Sequence, residues 1–501
     1  LRNINKIDDT SWYSDKNWLI DQVQFFYKRF DNAFKRWRIL YTNTKKTLEE
    51  AHSVISTPNS PKIGDAKRMQ AIALRQRDLL LNKSNSSSGN ESEFYVFRYL
   101  ASEGFLPGYN FTRLPVRTFV GNKSAEQGEY VSRPRFIALK EFGPNNLIYH
   151  DGSKYKVVKM QLNQNGEQMH TIKISKETGY VFVGKEAENA SNDPITRKEL
   201  KDFDSFEKFS NVVELNESEA RIEERISCNE EYRTSQGYDI DHYFSFSKGI
   251  DNTQKAIIKA AEHDLLQVIY DQSATLLQIN KWKITKDDSF PIGTISGRWK
   301  SRIEAEQSNP DEPIAGVRIY TTTTSDILYI QPVKELQLKE EGVCTLAYAL
   351  KRAIEKVCQV EESEIGVWIM GKNESKNILL YESSEGSLGI LKDLLNNAAQ
   401  LQAIFKEAYN LLGFDPETLI DTRPDTPKAS YDDLLSYYNQ QYHEKLDRFS
   451  VKEALEKLMR CNIDNQQGGR TLEEQYNYLL RTYDLNSSTE KPLIEYLSRN
   501  G

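Results

Sequence analysis

The sequence predicts a mixed, multi-domain α/β chain, and three observations predict it. Its 501 residues exceed what a single hydrophobic core supports, so several domains are expected. Apolar residues recur at helical spacing near both ends and alternate in the middle. From about residue 220, short β runs alternate with amphipathic helices, the pattern of an α/β module. The expected order is a helical hairpin over 1–81, a β-rich region over 92–184 and an acidic linker over 185–219. An α/β domain over 220–448 and a helical segment over 449–501 follow.

Each element has a local reason. Residues 17–56 carry Trp18, Val23, Phe26, Phe30, Phe34, Trp37 and Tyr41 every three or four positions, one apolar stripe. The stripe reads as core, with a docking face as the alternative. "STPNSP" leads into a second helix over 62–81, completing an antiparallel pair. "NKSNSSSGNES" (82–92) is a polar connector. "LIYHDGSKYKVVKMQL" places Asp151-Gly152 between two alternating runs, a hairpin signal. "HTIKISKETGYVFVGKEA" reads as a second hairpin turning at Glu177–Gly179. "SDILYIQPV", "EIGVWIM" and "NILLYESS" read as strands. "CTLAYALKRAIEKVCQ" and "LGILKDLLNNAAQLQAIFKEAYNLLG" read as helices.

Composition excludes several classes. The cysteines Cys228, Cys344, Cys358 and Cys461 form no CxxC pair, against a disulfide framework or an all-cysteine zinc site. No run of about 18 apolar residues suggests a membrane span, and no signal peptide is visible, so the expected compartment is the cytoplasm. The first residue is Leu1, which reads as an excerpt of a longer protein. Residues 1–155 hold 24 Lys and Arg against 16 Asp and Glu, a net +8, so the remainder of the −7 chain carries −15. Such asymmetry suits phosphate contact on one side only, or is ordinary variation in solvated surface.

Catalytic motifs are absent: no GxxxxGK[ST], GxSxG or HExxH occurs. "LLYESSEGSLGILKDLL" runs strand, turn, helix, with Gly386 and Gly389 where a helix N-terminus opens. A phosphate could dock there, although tight strand–helix packing is the preferred reading, and Glu382 and Glu385 would repel an anion unless they hold a metal or cap the helix. "SEFYVFRYLASEGFLPGYNFTRLPVR" (92–117) interleaves rings and arginines. It suits stacking on single-stranded bases with phosphate contacts, or an aromatic domain seam. Composition alone favours the seam.

That stretch also resembles the segment following the ATPase core in large bacterial superfamily-two helicases with a MrfA-type zinc-binding domain, found in Druantia-type and DISARM-type antiphage systems. "SRPRFIALKEFGP" (132–144), "RISCNEEYRTSQGYDI" (225–240), "LYESSEGSLGILKDL" (380–394) and "SYDDLLSYYNQQYHEKLDR" (430–448) resemble later family blocks, in family order. The resemblance departs from the family where zinc thiolates are usual. Ser175 and Thr178 stand at the CxxCGY knuckle, and Thr426, Ser430 and Asp433 at the Cx3CxxC block. Hydroxyls and one carboxylate hold zinc poorly, so the resemblance implies a domain kept without its metal.

The family reading implies an accessory DNA-handling region of an ATP-dependent helicase or translocase. Its motor lobes, with ATP and Mg, would lie outside this chain, and no cofactor is expected within it. Arg98, Arg113, Arg117, Arg133 and Arg135 would contact phosphates; Tyr95, Tyr99, Tyr109 and Phe111 would stack on bases. The expected partners are DNA, through single strands or backbone, and helicase lobes or other defence subunits. The alternative is a scaffold that docks a helicase partner without touching nucleic acid.

Overall fold

The computed structural model describes residues 16–57, 63–81, 83, 96–103, 105–106, 115–121, 128–162, 169–225, 239–247, 249–250, 253–261, 263–281, 289–306, 312–372, 376–383 and 388–465. Helices α1 (Lys16–Ala33), α2 (Lys35–Ser56), α3 (Ile63–Leu80) and α4 (Val96–Ser102) come first. Next are β1 (Val116–Gly121), β2 (Gly128–Arg133), α5 (Arg135–Glu141), β3 (Leu147–His150) and β4 (Ser153–Met160). β5 (His170–Ser175), β6 (Val181–Val183), α6 (Lys185–Asn189), β7 (Phe206–Glu214), β8 (Glu217–Arg225) and β9 (Asp239–Ser245) follow. Then come β10 (Gln254–Ala260), β11 (His263–Lys281), β12 (Phe290–Gly293), α7 (Arg302–Glu306) and β13 (Ile314–Pro332). The chain continues through α8 (Glu340–Cys358), β14 (Ile365–Met370), β15 (Asn377–Glu382), α9 (Ile390–Asn396), α10 (Ala398–Leu411), α11 (Lys452–Leu458) and β16 (Asn462–Asn465). This is the mixed α/β architecture expected.

The single N-terminal helix expected over 17–56 is interrupted at Phe34 (φ −83°, ψ −1°). α2 and α3 run antiparallel: Trp37 donates to the Leu80 carbonyl (3.2 Å), and Thr44 donates to Gln76 Oε1 (2.9 Å). The apolar stripe is only partly core. Ala33, Thr44 and Ala51 are buried, whereas Val23, Phe25, Phe26, Tyr27 and Phe30 on α1 are exposed.

Two sheets follow. A five-stranded sheet has the order β2-β1-β8-β4-β3, with β1 and β8 parallel. Its β3–β4 turn uses Asp151 (φ 44°) and Gly152 (φ 71°), the left-handed pair an Asp-Gly hairpin requires. The eleven-stranded sheet has the path β16-β10-β11-β13-β7-β5-β6, with β9, β12, β14 and β15 joined to it. Its spine is the antiparallel pair β11–β13, each 19 residues long. α8, α9, α10 and α11 cover one face of that pair around Leu266, Val268, Leu328 and Ile330. Aromatic residues including Phe244, Tyr329 and Trp368 cluster in a second core.

Two expectations need correction. The stretch read as an acidic linker contains β7, an interior strand between β13 and β5. Its charged composition masks Phe209, Val212 and Val213, which are buried. The stretch read as C-terminal helix begins with α11 but turns into β16, antiparallel to β10; residues 466–501 lie outside the described set.

The segment after α10 is tied down by Arg448, which is fully buried. Its guanidinium makes a bidentate pair with Asp421 (2.9 and 2.8 Å) and donates to the carbonyls of Leu412 (3.0 Å) and Arg423 (2.9 Å). The rings of Phe414 and Phe449 lie 5.0 and 4.3 Å from it. Removing one member of a buried pair leaves the other uncompensated. Arg448→Met is therefore expected to cost about 3 kcal/mol, the low end for such pairs because Asp421 keeps some solvent. Chemical denaturation measures this; a loss below about 1 kcal/mol, the size of an ordinary single hydrogen bond, would refute the role given to Arg448.

Candidate nucleic-acid interface

Among the described residues, the predicted contact residues do not gather on one open surface. Tyr95, Tyr109, Phe111, Arg113 and Gly386 lie outside the described residues, and Arg98 is placed only as a position on α4. Tyr99 is 1% exposed; its hydroxyl donates to the Ala33 carbonyl (2.6 Å) and accepts from Trp37 N (3.0 Å). A ring buried to that degree offers no face to a base, so Tyr99 is a pin between α4 and the junction of α1 and α2. Burial raises its pKa well above the usual phenol value.

The arginines are engaged within the fold. Arg133 Nε donates to Glu141 (2.7 Å). Arg135 donates to Glu214 (3.4 Å) and to the Thr322 carbonyl (3.2 Å), and its side chain is only 11% exposed. Arg36 joins the same cluster, 3.6 Å from Glu103 and 3.7 Å from Glu214. Burial raises the Glu103 pKa despite these cations. Arg135 is thus a structural cation and not a free phosphate contact. Arg117 is half-buried on β1, in parallel register with Glu217 of β8.

Gly389 adopts φ +74° before α9, where an open helix N-terminus was expected. Glu382, 1% exposed, already occupies that position. Its carboxylate accepts from the backbone N–H groups of Leu388, Gly389 (3.0 Å) and Leu391 (2.8 Å). The chain supplies its own anion there, so the phosphate-loop reading of Gly389 gives way to strand–helix packing.

A cavity that no local motif announces lies where the helical pair meets the five-stranded sheet. It measures about 350 Å³ and is lined by α2, α3, β4, β8 and the turn after β12. At its base, Gln76 Nε2 donates to Gln161 Oε1 (2.9 Å) and to Glu217 Oε2 (2.7 Å). Arg38, Lys46 and Lys159 also line it. Gly297 closes one side with φ +69°; a Cβ there would sit 2.2 Å from the Met160 carbonyl oxygen. Burial pushes the Glu217 carboxyl up to about 6, and the neighbouring Tyr130, Arg117, Gln76 and Lys159 offset this only in part. Sequence reading missed this group because Gln76, Gln161 and Glu217 lie far apart in the chain.

The positions read from the sequence as replaced zinc ligands, Ser175, Thr178, Thr426, Ser430 and Asp433, sit in hydrogen-bond networks. Thr178 Oγ1 donates to Asp193 (2.6 Å), whose other oxygen accepts from the N–H groups of Ile195 (2.8 Å) and Thr196 (2.9 Å). Ser175 Oγ accepts from Thr178 N (3.4 Å). Asp433, also buried, accepts from Ser430 N (2.6 Å), Ser430 Oγ (2.8 Å) and Leu434 N (2.6 Å). Arg352 donates to the Asp433 carbonyl, and Thr426 Oγ1 to the Arg423 carbonyl (2.6 Å).

Comparison with known families adds one match. Residues 346–413 match the MrfA Zn-binding domain. The matched span runs from the middle of α8 through β14, β15 and α9 to the end of α10, the helical layer and edge strands of the larger core. Among solved structures, the DUF1998 helicase MrfA bound to DNA is 11% identical, with a TM-score of 0.30 over 79% of this chain. MrfA bound to DNA and AMPPNP is 9% identical, with a TM-score of 0.22 over 69% of this chain. The chain spans 42% and 37% of the chains in those two structures. No curated protein matches the sequence.

A MrfA Zn-binding domain implies zinc, and structural zinc needs four converging nitrogen or sulfur donors. Among the described residues, no group of three or more His, Cys, Asp or Glu is placed to hold a metal. Cys344 and Cys461 are buried in the apolar core. Burial pushes their thiols up to about 11 and about 12, away from the thiolate a metal binds. Cys358, inside the matched span, is also shifted upward by burial. The described residues do not fit a zinc site of the family type.

Glu217 gives a pH signature. Its folded pKa of about 6 exceeds the ordinary 4.5, so the folded state holds its proton more tightly. The associated stability is present below about 4.5 and is lost as pH rises through 6, on the order of 1–2 kcal/mol. Glu217→Gln is expected to remove that loss. Denaturation across pH 4–7.5 should give a wild-type minus variant difference that becomes more negative as pH rises; a flat difference would refute the assignment.

Proposed function

We propose that this chain is an accessory nucleic-acid-handling region of an ATP-dependent superfamily-two DNA helicase or translocase acting in bacterial antiphage defence. The observation that carries the reading is the match of residues 346–413 to the MrfA Zn-binding domain. Support comes from the charge asymmetry: the first 155 residues carry +8, and Lys28, Arg29 and Lys35 are exposed on α1 and α2 beside exposed Phe25, Phe26 and Tyr27. Cations beside aromatic rings suit sequence-independent contact with single strands. Arg98, Arg113 and Arg117 remain the proposed phosphate contacts, with Tyr95, Tyr109 and Phe111 as stacking rings.

In this reading the motor lobes lie on other segments or subunits, and the chain guides the strand without hydrolysing ATP. The networks at Thr178–Asp193 and Ser430–Asp433 take over the tying role of the family's zinc. Elemental analysis of the purified protein is then expected to find zinc well below one per chain; stoichiometric zinc would overturn this part.

A second reading rests on the face of α1, where Val23, Phe26 and Phe30 stay exposed although Phe105 packs against the two rings. It would dock a helicase lobe, and the chain would then bind its partner while ignoring DNA. Fluorescence anisotropy with a single-stranded oligonucleotide separates the two. Affinity should fall steeply with salt, with a log–log slope of about −0.7 per phosphate contact. The combined variant Arg98→Ala, Arg113→Ala, Arg117→Ala should make that slope shallower by about 2. Unchanged affinity and slope would sink the nucleic-acid assignment and favour docking.

A further inference from the structure

We propose that the cavity between the helical pair and the five-stranded sheet is a binding site for one nucleotide, its base within and its phosphate at the cationic edge. Three features point to this ligand. The volume of about 350 Å³ falls in the range of small-molecule sites, roughly 300–1,000 Å³. The walls are apolar where Ile39 of α2 and Met69 and Ile72 of α3 line them, which suits a flat heteroaromatic ring. The base of the cavity is polar, and its polar groups are held in place.

Gln76 is the anchor of that polar base. Its amide nitrogen donates to Gln161 and Glu217, and its oxygen accepts from Thr44 (2.9 Å) and Gln161 Nε2 (3.3 Å). With all four positions used, Gln76 binds no ligand itself but fixes its two neighbours. Gln161 keeps one amide hydrogen, and the Glu217 carboxylate keeps acceptor lone pairs. A donor beside an acceptor complements a nucleobase edge, which also presents both. Holding such groups before binding lowers the ordering cost of the complex.

The charge at the edge suits a phosphate. Arg38 and Lys46 reach the cavity from α2 and Lys159 from β4, against the carboxylates of Glu217 and Glu219. Arg38 and Lys46 have surface partners, Asp31 (2.6 Å) and Glu50 (4.0 Å), with side chains half exposed. Such pairs contribute little, so an incoming phosphate can displace them.

The nucleotide could be free or part of a single strand. As a position on a strand the site rests on the reading given under Proposed function; as a free-nucleotide site it stands independently. The test is calorimetric titration of the purified protein with each deoxynucleoside monophosphate, with inorganic phosphate, and with an oligonucleotide that does or does not carry abasic positions. At least one monophosphate is expected to bind about tenfold or more tighter than inorganic phosphate, the worth of roughly one or two hydrogen bonds plus ring burial. Ile295→Trp should block entry; Ile295 lines the cavity and is 59% exposed, so the change is tolerable to the fold. Gln161→Ala should weaken binding by about tenfold for the lost hydrogen bond.

Monophosphates binding no better than phosphate, or binding that Ile295→Trp and Gln161→Ala both leave intact, would overturn the proposal. If abasic substitution weakens the oligonucleotide in parallel, the ligand is a nucleotide of a strand. If monophosphates bind and abasic substitution has no effect, the ligand is a free nucleotide. Loss of all oligonucleotide binding with monophosphate binding retained would defeat the strand-handling reading and leave the site standing.

Discussion

The antiparallel ladder between β11 and β13 is the constraint on which the rest of the structure depends, because all four buried clusters draw residues from it. Two 19-residue strands serve several cores, and the phase of each strand decides which residues reach which core. Side chains alternate with a period of two, so one inserted residue inverts every position beyond it. β11 has such an insertion: the register passes from Asp271 opposite Ile327 to Ala274 opposite Ser325. The bulge lets Ile269 and Ala274, an odd number of residues apart, share one cluster. Two buried carboxylates hold it. Asp326 accepts from the Tyr270 hydroxyl (2.7 Å) and from Ser273 N (3.1 Å), with Ser273 at φ +67°. Asp271 accepts from Ser247 N (2.7 Å) and Ser247 Oγ (3.0 Å), which ties β9 to the same point.

The bulge shares its chemistry with several other joints of the chain. Asp193, Glu382, Asp421 and Asp433 each gather two or more donors from a loop or a helix start. A carboxylate with two or three backbone N–H partners orders a loop much as a metal would, and its bonds are charge-assisted. The difference lies in cooperativity. A metal ties distant ligands at one point, whereas each carboxylate orders only the few residues around it. Arg448 supplies the longer reach, joining the end of α10, the 421–423 turn and the start of α11.

What the sequence revealed follows the range of the interaction involved. The Asp151-Gly152 turn, the strand β14 and the amphipathic helix α8 are local, and they were legible from spacing and turn residues alone. α10 was legible too, but its separation from α9 depends on Asn397, whose side chain accepts from Gln400 N (3.1 Å). β7 was hidden because its exposed positions, Lys208, Ser210 and Asn211, are polar and its buried ones do not alternate strictly. Seven aromatic rings in the 92–117 stretch suggested stacking, yet Tyr99 is spent on packing against Phe34 with ring centres 5.6 Å apart. Composition alone cannot separate those uses, because burial decides between them and burial is a property of the whole fold. The cavity was illegible for the same reason: its polar base is assembled from residues 76, 161 and 217.

The way the helical pair meets the sheet bears on function. Its contacts there are largely polar: Arg36 to Asn216 (2.6 Å), Arg75 to the Gly128 carbonyl (3.1 Å), and Gln76 to Gln161 and Glu217. The α/β unit instead closes around a continuous apolar cluster. Apolar burial scales with area and is hard to reverse piecemeal, whereas polar contacts exchange with water at a small net cost. The helical pair is therefore the less firmly held part, and the seam beneath it contains the cavity. The seam also brings the two charge domains together, with Arg36 from the basic third meeting Glu214 from the acidic remainder. The asymmetry visible in the sequence thus acts inside the protein, orienting the pair on the sheet, before any ligand is present. An anion entering at Arg38 and Lys46 would meet cations already drawn to this boundary, so the attachment that shapes the cavity also sets the sign of what it attracts.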